Sequence, residues 1–148
     1  NALMFGAVFI EAGLYLVVLN ESGMLKAIAT DFIKIIPDAV GPYLHIIVGI
    51  FGVPLDLLTS TDAYYFAVLP IVEQTASQFH VSAVSTAYAM VIGNIIGTFV
   101  SPFSPALWLS IGLAEANMGT YIKYAFFWIW GFAIVLLLIA VLMGVVTV

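Results

Sequence analysis

The chain has 148 residues, 64% of them hydrophobic and only 7% charged, with a mean hydropathy of +1.22. Soluble domains carry about 25% charged residues, so this chain cannot cover its own surface in water and reads as an all-α, polytopic integral membrane protein. The formal charge of −5 sets 8 acids against 3 basic residues, all lysines, which argues against nucleic acid and a polybasic membrane-surface role. The lack of cysteine excludes a disulfide frame and a thiolate metal site.

Residues 2–19 (ALMFGAVFIEAGLYLVVL) predict a first spanning helix near the ~20 residues that a bilayer requires. This stretch has no basic n-region or small-residue cleavage site, so it does not read as a signal peptide. Starting at Asn1, the chain reads as a piece of a longer protein. Over 21–36, Lys26, Asp31 and Lys34 alternate with Met24, Leu25, Ile28, Phe32 and Ile35, the pattern of a helix lying in the interface. Pro37, Gly41 and Pro42 end it. Two apolar pieces follow, 41–57 and 63–79, separated by Thr59, Ser60, Thr61 and Asp62. At ~1.5 Å per residue each piece is slightly short for a ~30 Å core. With Pro54 and Pro70 inside them, the region 41–79 reads as a re-entrant hairpin with a polar tip; two thin, kinked full spans are the alternative. A further helix begins at 82 and meets "GNIIGTFVSPFSPA" (93–106), where prolines and glycines break it. A short second half completes a broken span over 82–114. Residues 122–147 predict the last span, with Tyr121, Tyr124, Trp128 and Trp130 as an aromatic belt. Lys26 and Lys34 on one face against Lys123 in the 115–123 loop set no orientation.

Two polar breaks thus fall at membrane depth. Interrupted helices at the midplane are where secondary transporters hold substrates, because half-helix N-termini face anions and freed carbonyls face cations. Helices starting near Ala63 and Ala106 both open after hydroxyl-rich sequence. With no arginine in the chain, an anion bound here needs backbone dipoles, hydroxyls or an accompanying cation; a metal–anion complex meets that need. Ser60, Thr61, Asp62, Asn94, Gly97, Thr98, Ser101 and Ser104 are therefore the candidate substrate- or ion-binding residues. Asp62 is the candidate metal ligand and, with Glu11 and Asp56, a candidate for proton coupling. Asp62 also fits the bland role of an N-cap for the second hairpin helix. Glu11 equally fits a packed, neutral glutamate, and Asp56 a packing role. His45, alone on the first hairpin helix, reads as structural. Tyr64 and Tyr65 fit either a site lining or an interface anchor.

The run "STDAYYFAVLP" resembles the signature of the metal–citrate:proton symporters, the CitMHS family. "GMLKAIATDFIKIIPDAVGPYL" before it and "SPFSPALWLSIGLAEANMGTYIKYAFFW" after it match in order and spacing, so the resemblance covers nearly the whole chain. It implies the ion-transporter-superfamily fold: two inverted repeats, each with a re-entrant hairpin and a broken transmembrane helix, moving in an elevator fashion. The chain would be the C-terminal repeat. The implied function is proton-driven symport of citrate complexed with Mg²⁺ or Ca²⁺ by a multi-pass protein of the bacterial cytoplasmic membrane. No permanently bound cofactor is implied, because the divalent metal travels with the substrate. The implied partners are citrate or a related carboxylate, protons, the lipid bilayer and the N-terminal repeat, with a homodimer left open. The chain departs from the family pattern at Thr61 (commonly Asn), at Gly93-Asn94-Ile95 (commonly Gly-Gln-Pro), and at Gly119-Thr120-Tyr121 (commonly Gly-Asp-His). Two other functions fit the same acids: a cation/proton antiporter using Asp62 and Glu11, and an intramembrane acid–base enzyme using Asp56 and Asp62.

Overall fold

Prolines, glycines and capping side chains set the main helix boundaries. The computed structural model describes residues 21–37 and 39–147, with positions 10, 14, 15, 17 and 18 before them, and these residues contain no β-strand. The expected first span over 2–19, and Glu11 within it, lie outside the described residues apart from those five helical positions.

Helix α1 (Met24–Ile35) follows Gly23, whose φ of +73° suits a residue without a Cβ. It buries Ala29 and leaves the Lys34–Asp31 ion pair exposed at 2.8 Å. A 3₁₀ turn (Gly41–Tyr43) then leads into α2 (Leu44–Ile50) and α3 (Gly52–Asp56), which together make a first arm. The arm breaks at Phe51 because Pro54 has no N–H to offer the Ile50 carbonyl one turn back. Trp130 Nε1–H, from the last helix, donates to that carbonyl at 2.8 Å. Trp130→Phe removes the donor and keeps the ring, so it should cost about 1 kcal/mol in thermal unfolding of the detergent-solubilised protein. An unchanged midpoint would mean that the carbonyl takes another donor.

The second arm runs from α4 (Thr61–Ala63) through a π turn (Tyr64–Val68) into α5 (Leu69–Ser77). The π turn sits directly ahead of Pro70, and the wider ring closed by Leu69 N–H on the Tyr64 carbonyl absorbs the local misfit. Leu44, Val48 and Leu55 of the first arm pack with Tyr64, Val68 and Val72 of the second. The arms therefore lie side by side as a helical hairpin, joined by the turn at 57–60.

Helix α6 (Ala83–Gly97) is capped by Ser82, whose hydroxyl accepts from Ser85 N–H at 3.1 Å. The chain leaves helical geometry over 98–104 and resumes as α7 (Pro105–Leu113). Pro102 and Pro105 enforce the gap, each lacking a donor for the turn before it. Helix α8 (Met118–Leu142) has 25 residues, about 37 Å at 1.5 Å per residue, enough for a ~30 Å hydrocarbon core. Among the described residues it is the one helix long and apolar enough to cross a membrane; shorter apolar helices cover Gly41–Ile50 and Ala83–Gly97.

Both ends of α8 differ from the sequence expectation of 122–147. It begins at Met118 because Asn117 caps it, Oδ1 accepting from Thr120 N–H at 3.0 Å. Lys123 consequently sits on the helix rather than in a loop. It ends at Leu142 because Gly144, with φ +71°, turns the chain back and lets Val145 N–H reach the Ala140 carbonyl at 3.0 Å. The tail then buries Val146 against Ala89, Leu137 and Ala140.

The first arm is the centre of the assembly, flanked by α6 and α8, with α1 packed on α5 of the second arm. Helices α6 and α2–α3 approach through small residues. A Cβ on Gly49 would lie 2.6 Å from the Ala89 carbonyl oxygen, and one on Gly52 would lie 2.6 Å from the Gly93 carbonyl carbon. Such contact is how helices associate where lipid removes the hydrophobic drive between them. Tyr124, Phe127, Trp128, Phe132 and Leu138 stay exposed on α8, an apolar face suited to lipid.

Candidate functional site

Three polar features come from the two breaks: the hairpin tip, a sealed cluster behind it, and a cleft at the break. At the tip, Ser60 has an extended backbone (φ −77°, ψ 156°), and its side chain accepts from Ala63 N–H at 3.2 Å. The cap of the second arm is therefore Ser60, and the helix opens at Thr61 rather than near Ala63. Asp62 is exposed and its carboxylate has no partner among the described residues, so it is free of the capping role. Thr59 is turned inward on its own arm, donating to the Leu55 carbonyl at 3.0 Å.

The sealed cluster is built on Asp56, the last residue of α3, which has no exposed surface. Asn94 Nδ2–H donates to Asp56 Oδ1. Ser101 Oγ–H donates to the Asp56 backbone carbonyl at 2.7 Å. Gly97 supplies the room: a Cβ there would stand 2.6 Å from Asp56 Oδ2. Asp56 Oδ2 and Asn94 Oδ1 are both buried without a hydrogen-bond partner. Buried polar atoms normally have partners, so two on one pair of side chains mark this cluster as unusual. The structure thus brings Asn94, Gly97 and Ser101 to Asp56 and separates them from open space.

Thr98 and Ser104 face elsewhere. With Phe99, Leu107, Ser110 and Tyr121 they line a cleft of about 210 Å³ at the N-terminus of α7. Complete ligand pockets run to about 300–1,000 Å³, so this cleft has the size of a partial site. Three backbone carbonyls around the break accept from side chains. Thr98 Oγ1–H donates to Ile95 O at 2.7 Å, Tyr121 O–H to Phe99 O at 3.2 Å, and Trp108 Nε1–H to Pro102 O at 2.7 Å. Ser104 caps α7 through Leu107 N–H at 3.4 Å, which starts that helix at Pro105 rather than near Ala106. Thr98, Ser110 and Tyr121 spend their hydroxyl protons on backbone carbonyls, so Ser104 O–H and the positive end of α7 are what suit a carboxylate oxygen. None of the tip residues lines this cleft. Ser110 and Tyr121 were not singled out as site residues from sequence, since each reads as an ordinary helix or belt position.

His45 is fully buried, and its Nε2 lies 3.3 Å from Ser85 Oγ. That hydroxyl donates to Thr147 O at 2.7 Å and accepts from Thr147 N–H at 2.8 Å, so the pair holds the tail returned by Gly144. No group of three or more His, Cys, Asp or Glu side chains converges among the described residues. A metal held at Asp62 would have to find its other ligands in the substrate or elsewhere.

No family model matches the chain, and no solved structure matches it. Curated relatives do, and they are transporters by name, none of them an enzyme. Asp56 is sealed while Asp62 is exposed, so the two acids sit in different surroundings. Over 99% of its length the chain is 33% identical to the citrate transporter of Bacillus subtilis (strain 168). It is 30% identical over its full length to that organism's Mg(2+)/citrate complex secondary transporter, and 28% identical to its uncharacterized transporter YraO. The chain is thus a homologue of citrate transporters. It spans about a third of the length of these relatives, 34% in each case.

Proposed function

We propose that the chain is part of a secondary transporter that moves citrate, complexed with a divalent metal, together with protons across the bacterial cytoplasmic membrane. The observation that carries this reading is similarity along the whole chain to a citrate transporter and a Mg(2+)/citrate transporter. The hairpin over 41–79 would enter and leave the bilayer on one side, with α6 and α7 as the two halves of a broken span. Freed backbone is tolerated at that depth only where it lines protein or a cavity. Ser60, Thr61 and Asp62 at the tip, with Thr98 and Ser104 in the cleft, would form half of the substrate site. An inverted N-terminal repeat would supply the other half. Citrate carries several carboxylates, and the chain has no arginine to neutralise them. A metal ion bound to the citrate does so instead, and an exposed Asp62 with no partner among the described residues suits the metal face of that complex. The metal is then cargo rather than a resident cofactor.

The experiment is uptake of labelled citrate by the full-length protein in proteoliposomes, with Asp62→Asn beside the wild type. The variant should lose uptake by about tenfold or more, the scale of a lost charge–charge contact, with its thermal midpoint unchanged because Asp62 has no hydrogen-bond or ion-pair partner among the described residues. Uptake close to wild type would take Asp62 out of the transport path.

A further inference from the structure

We propose that Asp56, rather than the tip acid, carries the coupling proton, with Asn94 as its positioning partner. This rests on the reading of the chain as part of a proton-driven carrier and assigns a residue to that step. A carboxylate with no exposed surface in an apolar helix packing is costly when ionised, and no cation among the described residues offsets it. Among the described residues the only ion pair is Lys34–Asp31. The titratable groups that interact with Asp56 from the packed elements are the phenols Tyr64 and Tyr65 of the second arm. The α6 tyrosine, Tyr88, is exposed, as are Lys123 and Tyr124 on α8, while Tyr121 is tied to Phe99 O.

The geometry selects a proton over a metal ion. Divalent cations take six or more oxygen ligands; here two oxygens are unpartnered, and Gly97 backbone closes the space beside Oδ2. A proton needs neither room nor further ligands. Asparagine is also the side chain that serves both protonation states. Its Nδ2–H donates to the ionised carboxylate, as it does to Oδ1. Turned over, its Oδ1 accepts from the protonated carboxyl, which gives the unpartnered Asn94 oxygen a use. The step balances as one proton bound by an Asp56 oxygen and one released, with no bond of the substrate changed. The Ser101 bond to the Asp56 carbonyl couples this acid to the helix break. A shift of the break when substrate enters the cleft moves Asp56 and opens its carboxyl to water.

Two readouts on the full-length protein test this. Infrared difference spectra of substrate-free wild type should contain a protonated-carboxyl C=O band that disappears as pH rises. The band should be absent from Asp56→Asn, retained in Asp62→Asn and displaced in pH midpoint by Asn94→Thr. In proteoliposomes, Asp56→Asn should lose pH-gradient-driven citrate accumulation about tenfold or more, with citrate exchange reduced no more than about threefold, a split that a folding defect would not produce. A titrating band that persists in Asp56→Asn and ignores Asn94→Thr overturns the assignment. Gradient-driven accumulation by Asp56→Asn at the wild-type level does so as well, as does equal loss of accumulation and exchange. If Asp56→Asn does not fold, Asn94→Thr decides through the midpoint of the band. A wild type that moves no citrate defeats the transport reading, and the infrared arm still decides Asp56.

Discussion

Gly93→Leu should be the most damaging single substitution in the chain, abolishing recovery of folded protein or lowering its stability by at least about 3 kcal/mol, the upper end of overpacking costs. The position where its Cβ would stand is occupied by the Gly49 carbonyl oxygen. The obstruction is backbone, so no side chain can swing aside. The approach is reciprocal, because a Cβ on Gly49 would lie 2.6 Å from the Ala89 carbonyl oxygen and one on Gly52 would lie 2.6 Å from the Gly93 carbonyl carbon. Ala89, Gly93 and Gly97 recur every four residues on one face of α6, and Gly49 and Gly52 answer them from the first arm. A leucine would wedge the hairpin away from α6 and take Asp56 away from Asn94 with it. Thermal unfolding in detergent with size-exclusion chromatography reads the effect; a monodisperse variant with an unchanged midpoint would contradict the packing described.

Asn94→Leu should cost about 2–3 kcal/mol, the penalty of leaving a buried polar group without its partner. Leucine is similar in size and adds apolar surface, so a purely steric account predicts little loss. The loss arises because Asp56 Oδ1, sealed from water, has Asn94 Nδ2–H as its donor. The double variant Asp56→Leu/Asn94→Leu should recover much of the stability, because replacing both partners with apolar groups removes the orphaned acid. Additive losses in the double variant would show that the two side chains do not interact.

The helix pattern was largely legible in the sequence because prolines and capping residues are local signals. Pro54, Pro70, Pro102 and Pro105 announce the broken arms and the gap over 98–104, and Ser82 and Ser104 announce helix starts. Boundaries slipped where a cap competed with an apolar run, as at Asn117, or where a glycine stopped the helix before its apolar sequence ended, as at Gly144. The cluster around Asp56 was only half legible. Asp56 and Asn94 were each visible as acid or amide inside apolar sequence, but their pairing spans 38 positions and depends on the absence of a side chain at Gly97. Tyr121, too, became part of the cleft only through a bond made 22 residues away. His45 was legible as a histidine within an apolar helix, but its contact with Ser85, and through it with Thr147, could not be named from spacing.

Metal dependence of transport decides whether citrate enters as a metal complex. Uptake of labelled citrate by proteoliposomes of the full-length protein, driven by an imposed pH gradient, would be measured with Mg²⁺, with Ca²⁺, and with both removed by a chelator. Uptake should require a divalent metal, with labelled metal entering in step with citrate. Equal citrate uptake in the chelated sample, or no uptake in any metal condition, would rule out a metal–citrate substrate.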